Sequence, residues 1–256
     1  MEYHIKTADL GKTYKNFFSK KTNNALKSHS IEVPAGTIMG FLGRNGAGKT
    51  TTIKLLLGLV KGTQGSAEMM VHDISDKRSR QDIAHMPEVA NLDTRDATRN
   101  LLRTVGRLVR MDFDTIKTRI AEVIIEVGLQ DKEDEVLGNF SKGMKQCALL
   151  AQAIFAKPKL LILDEPFSGL DPIGRKEVRN LITRNNKELN TTVFFSSHIL
   201  ADVEVMCDSI GILHNGELKA LGEKEDLLGI ESIEISAKDV DPNGLVFIEK
   251  LSDNIS

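Results

Sequence analysis

The sequence predicts an α/β fold whose central sheet is mostly parallel and whose two parts flank an inserted helical subdomain. From residue 158 onward, short apolar segments alternate with helical ones. Such alternation favours parallel strands covered by helices on both faces. Residues from about 92 to 157 have apolar residues at helical spacing instead. The first third favours strands, so the core is predicted to comprise about residues 1–91 and 158–230.

The N-terminal part contains three predicted strands and one predicted helix. Tyr3–Ala8 and Leu26–Val33 have strand-like composition, and the polar stretch Lys15–Asn24 joins them. A turn then leads into a short apolar strand at Thr37–Leu42. The helix that follows is predicted to end at Gly62, and its apolar residues share one face: Ile53, Leu56, Leu57 and Val60.

Three helices are predicted within the insertion. The second begins at Asp114 as a candidate N-cap and ends at Gly128. The third begins near Ser141 and stops before Pro158, because the residue before a proline disfavours helical geometry. The first helix has an apolar stripe made by Leu101, Leu102, Val105, Leu108 and Val109.

The C-terminal half supplies the alternating elements. Leu160–Leu163, Thr192–Phe195 and Ser209–Leu213 are predicted strands. Asp171-Pro172 predicts a helix start, with a capping carboxylate followed by proline at the first helical position. Asn215-Gly216 favours a tight hairpin turn. Residues 231–256 are predicted to form a short C-terminal extension.

Charge and apolar patterning limit the classes of function. The 34 basic and 36 acidic residues nearly cancel, which argues against nucleic acid as the main partner. No apolar run approaches the roughly 18 residues that span a bilayer, so any membrane-embedded part would be another chain. Cys147 and Cys207 do not form a disulfide framework and are predicted to be plain buried thiols, as in a reducing cytosol.

A glycine-rich segment between the strand at 37–42 and the next helix fits the P-loop pattern of glycine, four residues, Gly-Lys and Ser/Thr. Backbone N–H groups can surround a triphosphate only where no Cβ obstructs them, and the helix N-terminus adds a positive dipole end. Lys49 would supply a charge to the β and γ oxygens, and the Thr50 hydroxyl would coordinate Mg²⁺. The alternative is a glycine-rich turn that merely precedes a helix. The predicted nucleotide contacts are Gly43, Arg44, Asn45, Gly46, Ala47, Gly48, Lys49, Thr50 and Thr51.

Two carboxylates follow the buried strand Leu160–Leu163 directly, at the edge where open α/β sheets bind ligands. Asp164 is predicted to hold the Mg²⁺ of the phosphate loop, either directly or from the second coordination shell. Glu165 is predicted to orient and deprotonate the attacking water. The alternative is an acidic turn after a strand, which is common in loops.

Further motifs give the chain a resemblance to a known family. Phe140–Gln146, which reads F-S-K-G-M-K-Q, resembles the signature loop of the nucleotide-binding domain of ABC transporters. Asp164-Glu165 matches that family's Walker B aspartate and catalytic glutamate. Ser168–Pro172 resembles its D-loop, and His198 matches its switch histidine. Tyr14 matches the aromatic residue that stacks on adenine. The motifs keep the family's order and spacing over roughly residues 3 to 225.

The resemblance implies a P-loop NTPase fold with an N-terminal antiparallel β subdomain, and an ABC ATPase domain over residues 1–230. It implies ATP hydrolysis with Mg²⁺, in which Lys49, Glu165 and His198 are catalytic. Ser141 and Gly143, with Asp171, would contact the nucleotide held by a second ATPase subunit, so that two nucleotides lie between two copies or two related chains. The other implied partners are separate membrane permease chains, at the cytoplasmic face of the membrane, for a subunit that is soluble when isolated.

Two positions depart from the family pattern. Glu88 stands where the family commonly has glutamine. A carboxylate can still coordinate Mg²⁺ or hold water, but it carries a charge that an amide lacks. Lys142 and Met144 replace glycine and glutamine in the signature loop, and Lys142 would add positive charge near the facing nucleotide. Both variants resemble a group of prokaryotic ABC ATPases that work with separate permease chains.

Three other functions compete with this interpretation. A soluble ABC-type ATPase that acts on nucleic acid or ribosomes usually has two cassettes or a long coiled coil, whereas each motif occurs once here. Salt-dependent binding to DNA or RNA would identify such a protein. A P-loop kinase would need an acceptor, so release of inorganic phosphate without one excludes it. A nucleotide-gated binding module would show very slow steady-state turnover.

Overall fold

The computed structural model describes residues 2–15, 22–89 and 92–228, and strands and helices alternate in it from residue 160 to residue 214. The strands are β1 (Tyr3–Lys15), β2 (Thr22–His29), β3 (Glu32–Pro34), β4 (Ile38–Leu42), β5 (Gln64–Met69), β6 (His72–Asp73), β7 (Ile83–Met86), β8 (Leu160–Asp164), β9 (Thr192–Ser197), β10 (Ser209–His214) and β11 (Glu217–Glu223). The helices are α1 (Lys49–Leu56), α2 (Thr98–Leu108), α3 (Phe113–Glu126), α4 (Lys142–Ile154), α5 (Pro172–Leu189), α6 (Leu200–Met206) and α7 (Lys224–Leu228). Within the described ranges, no helix is both long enough and apolar enough to cross a membrane. The predicted extension at 231–256 lies outside the described residues.

The central sheet has the strand order β11-β10-β4-β9-β8-β7. Strands β10, β4, β9, β8 and β7 pair in parallel, and β11 returns antiparallel to β10 through the turn at Asn215-Gly216. Both turn residues have positive φ angles, 47° and 76°, as a tight two-residue hairpin requires. Every residue of β4, β8 and β9 is buried, as expected for parallel strands covered on both faces. The prediction of a mostly parallel sheet is confirmed.

The N-terminal sheet is antiparallel, with β2, β3 and β5 paired to β1 and β6 paired to β5. The prediction of one strand over Leu26–Val33 is wrong, because the segment forms β2 and β3 with a break between them. At the break, the Thr7 hydroxyl donates to the carbonyl of His29 at 3.2 Å and accepts from the N–H of Ile31 at 2.9 Å. β1 is also longer than predicted, since it continues past a bend at Asp9, where φ is 51°.

Helices α2, α3 and α4 lie between β7 and β8 in the chain, which confirms the inserted helical subdomain. Two details of the prediction are wrong. The N-cap of α3 is Asp112, whose carboxylate accepts from the N–H of Thr115 at 2.9 Å, whereas Asp114 lies inside the first turn. The end of the apolar stripe on α2 faces outward, since Leu108 is 77% exposed and Val109 is also exposed.

Other helix ends follow the usual capping chemistry. Gly58 follows the C-cap of α1 with φ of 69°, so the prediction that Gly62 ends this helix is wrong. Gly128 adopts φ of 67° just after α3, as predicted. The side chains of Ser141 and Asp171 accept backbone hydrogen bonds at the starts of α4 and α5, which confirms both predicted caps.

We expect Asp112→Ala to lower the midpoint temperature of unfolding and Asp114→Ala to leave it nearly unchanged. The Asp112 carboxylate accepts hydrogen bonds from the hydroxyl and the N–H of Thr115, and these lower its pKa, the hydroxyl more than the N–H. A pKa that is lower in the folded state contributes stability above the unfolded-state pKa, and this stability is lost as the pH falls through the folded-state pKa. Thermal melts of parent and Asp112→Ala should therefore converge in acid. An equal loss in Asp114→Ala at neutral pH would contradict the assignment of the cap.

The core lies on both faces of the central sheet. Leu161 and Leu163 belong to an apolar cluster that contains residues of α3, α4 and α5. Leu160 and Ile162 belong to the opposite cluster, which contains residues of α1 and of the antiparallel sheet. Because side chains alternate along a strand, Asp164 shares a face with Leu160 and Ile162. The alternation of β8 therefore turns its last carboxylate toward α1.

Both cysteines are free thiols. Cys207 is buried and Cys147 is partly buried, so the prediction of a buried thiol holds fully for Cys207. Burial raises the pKa of both thiols, to about 11 for Cys147. Both are therefore protonated at neutral pH and pack as small apolar side chains.

Candidate active site

The glycine-rich segment forms the loop between β4 and α1. Gly46 has φ of 81°, and a Cβ built on it would meet nothing within 4 Å. Gly48 has φ of 113° and is the N-cap of α1, so no side chain accepts from the first N–H groups of the helix at that position. A Cβ on Gly48 would come within 2.7 Å of the carbonyl of Ala25 on β2. The loop therefore presents backbone N–H groups and a helix N-terminus to an open space, as anion binding requires.

Lys49 folds back over this loop and is only 5% exposed. Its ammonium donates to the carbonyls of Gly43 at 2.6 Å and Arg44 at 3.3 Å. It also lies 3.0 Å from Oε1 of Glu165. That contact is an ion pair rather than a directed hydrogen bond, because Oε1 has no hydrogen-bond partner within the described residues. Lys49 is thus the cation of a buried charge pair.

Glu165 lies between Lys49 and His198. Its Oε2 lies 2.8 Å from Nδ1 of His198, while Oε1 faces Lys49. The residue is 6% exposed. The backbone of Glu165 adopts a φ of 49°, an uncommon left-handed conformation for a residue with a side chain. Strain of this kind persists where the surroundings hold it, and it clusters at active sites.

Ser196 fixes both carboxylate residues, and sequence reasoning missed it. Its hydroxyl donates to Oδ1 of Asp164 at 2.6 Å and accepts from the N–H of Glu165 at 3.0 Å. The register pairs Ser196 with Asp164 across β9 and β8. The signal was present in the sequence, since Ser196 and Ser197 close an apolar strand and the ends of parallel strands share one edge of the sheet.

His85 is a second site residue that sequence reasoning missed. It lies on β7, paired with Ile162 of β8. Its Nε2 is buried without a hydrogen-bond partner within the described residues. Burial lowers the pKa of His85, and the charge of nearby Asp164 opposes that shift. A neutral imidazole therefore stands close to the predicted metal-binding carboxylate.

A second group of predicted residues gathers at the start of α4. Ser141 is exposed, and its hydroxyl accepts from the N–H of Met144 at 3.2 Å. A Cβ on Gly143 would lie 3.6 Å from the side chain of Leu170. The side chain of Lys142 lies against Gly169 of the same chain, where a Cβ would collide with it. The predicted signature loop and the segment that leads to Asp171 are therefore neighbours within one subunit.

The remaining predicted residues have defined positions. Thr50 and Thr51 lie in the first turn of α1 and are half-buried, next to the loop. Glu88 is exposed in the segment after β7. Tyr14 lies on β1 opposite Asn23 of β2, the strand whose Ala25 carbonyl approaches Gly48. Tyr14 is 38% exposed, and the ammonium of Lys12 lies 4.9 Å from its ring centroid.

Comparisons with known proteins agree with this geometry. A family model described as ABC transporter matches residues 26–168. Bacitracin transport ATP-binding protein BcrA of Bacillus licheniformis is 44% identical over 216 residues, which cover 84% of this chain and 68% of that protein. Linearmycin resistance ATP-binding protein LnrL of Bacillus subtilis is 35% identical over 245 residues, covering 93% of this chain and 78% of that protein. The chain thus spans about two thirds to three quarters of the length of these relatives.

Solved structures give the same result. The structure of an ATP-binding subunit of an ABC transporter superposes with a TM-score of 0.75 at 30% identity, covering 87% of this chain and 91% of that one. A dimeric post-hydrolysis state of the ATP-binding cassette MJ0796, bound to ADP and Pi, superposes with a TM-score of 0.77, covering 86% and 98% of the two chains. Its identity of 21% supports the fold alone. The chain belongs to the ABC transporter family, as an ATP-binding subunit that hydrolyses ATP.

Proposed function

We propose that this chain powers a membrane transporter by hydrolysing ATP held between two ATPase subunits. The observation that carries the proposal is the position of Glu165, buried between the ammonium of Lys49 and the imidazole of His198. A carboxylate in that position can accept a proton from water while its neighbours keep it oriented. The site is therefore built for attack of water on a phosphoryl group beside the loop.

The ion pair between Lys49 and Glu165 has a role both while it is formed and after the nucleotide breaks it. When the γ-phosphate takes over the ammonium of Lys49, Oε1 of Glu165 is released from its ion pair and can accept the proton of the attacking water. The water oxygen then bonds to the γ-phosphorus, and the bond between that phosphorus and the β,γ-bridging oxygen breaks, so that ADP and phosphate form. His198 keeps Oε2 in place throughout, because its hydrogen bond does not involve the phosphate loop.

Mg²⁺ fits the oxygen groups at the mouth of the loop. The Ser196 hydroxyl donates to one carboxylate oxygen of Asp164. Thr50 lies in the first turn of α1, beside the loop. Hydroxyl and carboxylate oxygens are ligands that Mg²⁺ prefers, together with phosphates and water. Thr50, Asp164 and Glu88 would hold the ion, which would neutralise the charge that develops on the β and γ oxygens.

A second subunit would complete the site. Ser141, with the N-terminus of α4 and the open backbone at Gly143, offers an exposed set of donors for an anion. The phosphate loop of the same chain already has its own helix N-terminus at α1. We therefore assign Ser141, Gly143 and Asp171 to the ATP of the partner subunit, so that a dimer encloses two nucleotides.

The membrane partner would be a separate permease chain, with this subunit bound at the cytoplasmic face of the membrane. The relatives support an ATP-binding subunit in such an assembly, since they are named for bacitracin transport and linearmycin resistance. Those two compounds are the first to test as cargo. Coexpression with a candidate permease chain, followed by reconstitution in vesicles, measures transport directly.

Dimerisation tests the shared site. We expect Glu165→Gln, which should bind ATP without turning it over, to double in mass with Mg²⁺ and ATP in light scattering and to stay monomeric with ADP. Adding Ser141→Arg should abolish the dimer, because a bulky side chain would block the donors at the start of α4. Thr104→Arg, at an exposed position on α2, is the matched control. A dimer that survives Ser141→Arg would remove Ser141 from the interface.

A further inference from the structure

A buried carboxylate next to the switch histidine has no part in the chemistry described above. Asp202 lies in the first turn of α6, four residues after His198, and is 2% exposed. The N-terminus of α6 has no side-chain cap, so Asp202 does not serve the helix in that way. Burial raises the pKa of Asp202, and the nearby charges of Arg175, Arg179 and His198 oppose that shift.

The partners of Asp202 come from α5. The guanidinium of Arg175 lies 3.5 Å from Oδ2, and that of Arg179 lies 3.7 Å from Oδ1. Both are ion pairs at longer than hydrogen-bond distance, and Oδ2 of Asp202 and Nε of Arg179 are buried without a hydrogen-bond partner within the described residues. A buried ion pair with incomplete hydrogen bonding is weak evidence for a stabilising role, because apolar residues of similar volume often serve stability as well.

Arg175 has a second contact, and it leads to the catalytic loop. Its Nε donates to the carbonyl of Leu170 at 3.2 Å. Leu170 ends the segment that begins at Glu165, and the N–H of Ser168 donates to the carbonyl of Glu165 at 3.0 Å within it. One guanidinium therefore joins the loop that carries the base to the helix that follows the switch histidine.

We propose that Asp202 is a positioning residue for hydrolysis, which acts through Arg175 to hold the Glu165–Leu170 loop in register with His198. The proposal rests on the proposed function of the same site. Glu165 must meet His198 at 2.8 Å although the two residues come from different strand ends. Ser196 fixes the backbone of Glu165, and the Arg175–Asp202 contact fixes the far end of its loop to α6. Without the Arg175–Asp202 contact, the Glu165–Leu170 loop and His198 can shift relative to each other.

The test is the steady-state ATPase activity of the chain of residues 1–256. Asp202→Asn keeps the volume of the side chain and removes its charge. We expect kcat to fall by about tenfold or more, since small misplacement of reacting groups costs rate on this scale, while the KM for ATP changes less than about twofold because the phosphate loop is intact. Glu204→Gln, which removes a carboxylate from the same helix, is the matched control and should keep the parent kcat.

A double-variant cycle separates positioning from general destabilisation. If Asp202 acts through Arg175, then Arg175→Gln should lower kcat alone, and the double variant should be no slower than the slower single variant. Additive losses, or an unchanged kcat in Asp202→Asn, would overturn the proposal. If Asp202→Asn does not fold, Arg175→Gln approaches the same contact from its more exposed side, and an unchanged kcat there is equally decisive.

Glu165→Gln in the same assay distinguishes the two levels of inference. If Glu165→Gln loses turnover and Asp202→Asn does not, the positioning role alone is wrong. If Glu165→Gln keeps turnover, the proposed function of the site is wrong, and the role of Asp202 is overturned with it.

Discussion

Glu165→Gln should lose nearly all ATP turnover while it still binds ATP. Glutamine has almost the same shape and can still meet His198, but it cannot accept the proton of the attacking water. General-base catalysis contributes about 10²–10⁴-fold, so phosphate release should fall by about that factor. In the proposed site the loop and Lys49 hold the phosphates, so the loss of a carboxylate 3.0 Å from the ammonium should leave ATP affinity equal or higher.

Two measurements check this expectation. A coupled assay of phosphate release gives the turnover, and calorimetry on the same preparation gives the affinity for ATP. Glu188→Gln is the control, because Glu188 is exposed on α5 and its replacement should change neither quantity. Turnover of Glu165→Gln within about threefold of the parent would remove Glu165 as the general base.

The parts of this site that depend on local sequence were predictable. The phosphate loop is one continuous segment, and the strand before it and the helix after it are short-range patterns. Asp164 was predictable as well, because the fully apolar strand before it indicates a buried parallel strand. Such local patterns predict the structure directly, because the local backbone conformation itself requires these residue types.

The parts that depend on the neighbours of each strand were not predictable in the same way. Ser196 follows Asp164 by 32 residues and meets it only because β9 pairs with β8. Arg175 and Asp202 meet because α5 packs beside α6. A single sequence gives the order of strands and helices along the chain, whereas these contacts depend on which of them become neighbours in the fold.

The errors at element ends have a similar origin. Asp112 and Asp114 are the same residue type and could each cap the helix. Which of them is the N-cap depends on which residue has an extended backbone conformation. Asp112 has φ of −69° and ψ of 163°, so its carboxylate can turn back to the N–H of Thr115. Gly58 and Gly62 pose the same ambiguity, which the positive φ of Gly58 resolves.

Lys49→Ala should lose ATP binding and also destabilise the nucleotide-free protein. Removal of one partner from a buried ion pair leaves the other charge uncompensated, at a cost of about 3–5 kcal/mol. Here the remaining charge is Glu165, with His198 on its other oxygen. We expect at least a tenfold loss of ATP affinity by calorimetry and a lower midpoint temperature without nucleotide. Lys54→Ala, exposed on the same helix, is the control and should show neither effect.

The double variant Lys49→Ala/Glu165→Gln separates the two roles of the lysine. Removing the carboxylate should restore much of the lost midpoint temperature, because no uncompensated charge is left in the site. ATP binding should stay lost, since the phosphates still lack their cation. If Lys49→Ala bound ATP with the parent affinity, the phosphate loop would not be the nucleotide site. If the double variant were no more stable than Lys49→Ala, the ion pair at 3.0 Å would not contribute to the stability of the nucleotide-free protein. Release of Glu165 by the incoming phosphate could then not be part of the mechanism.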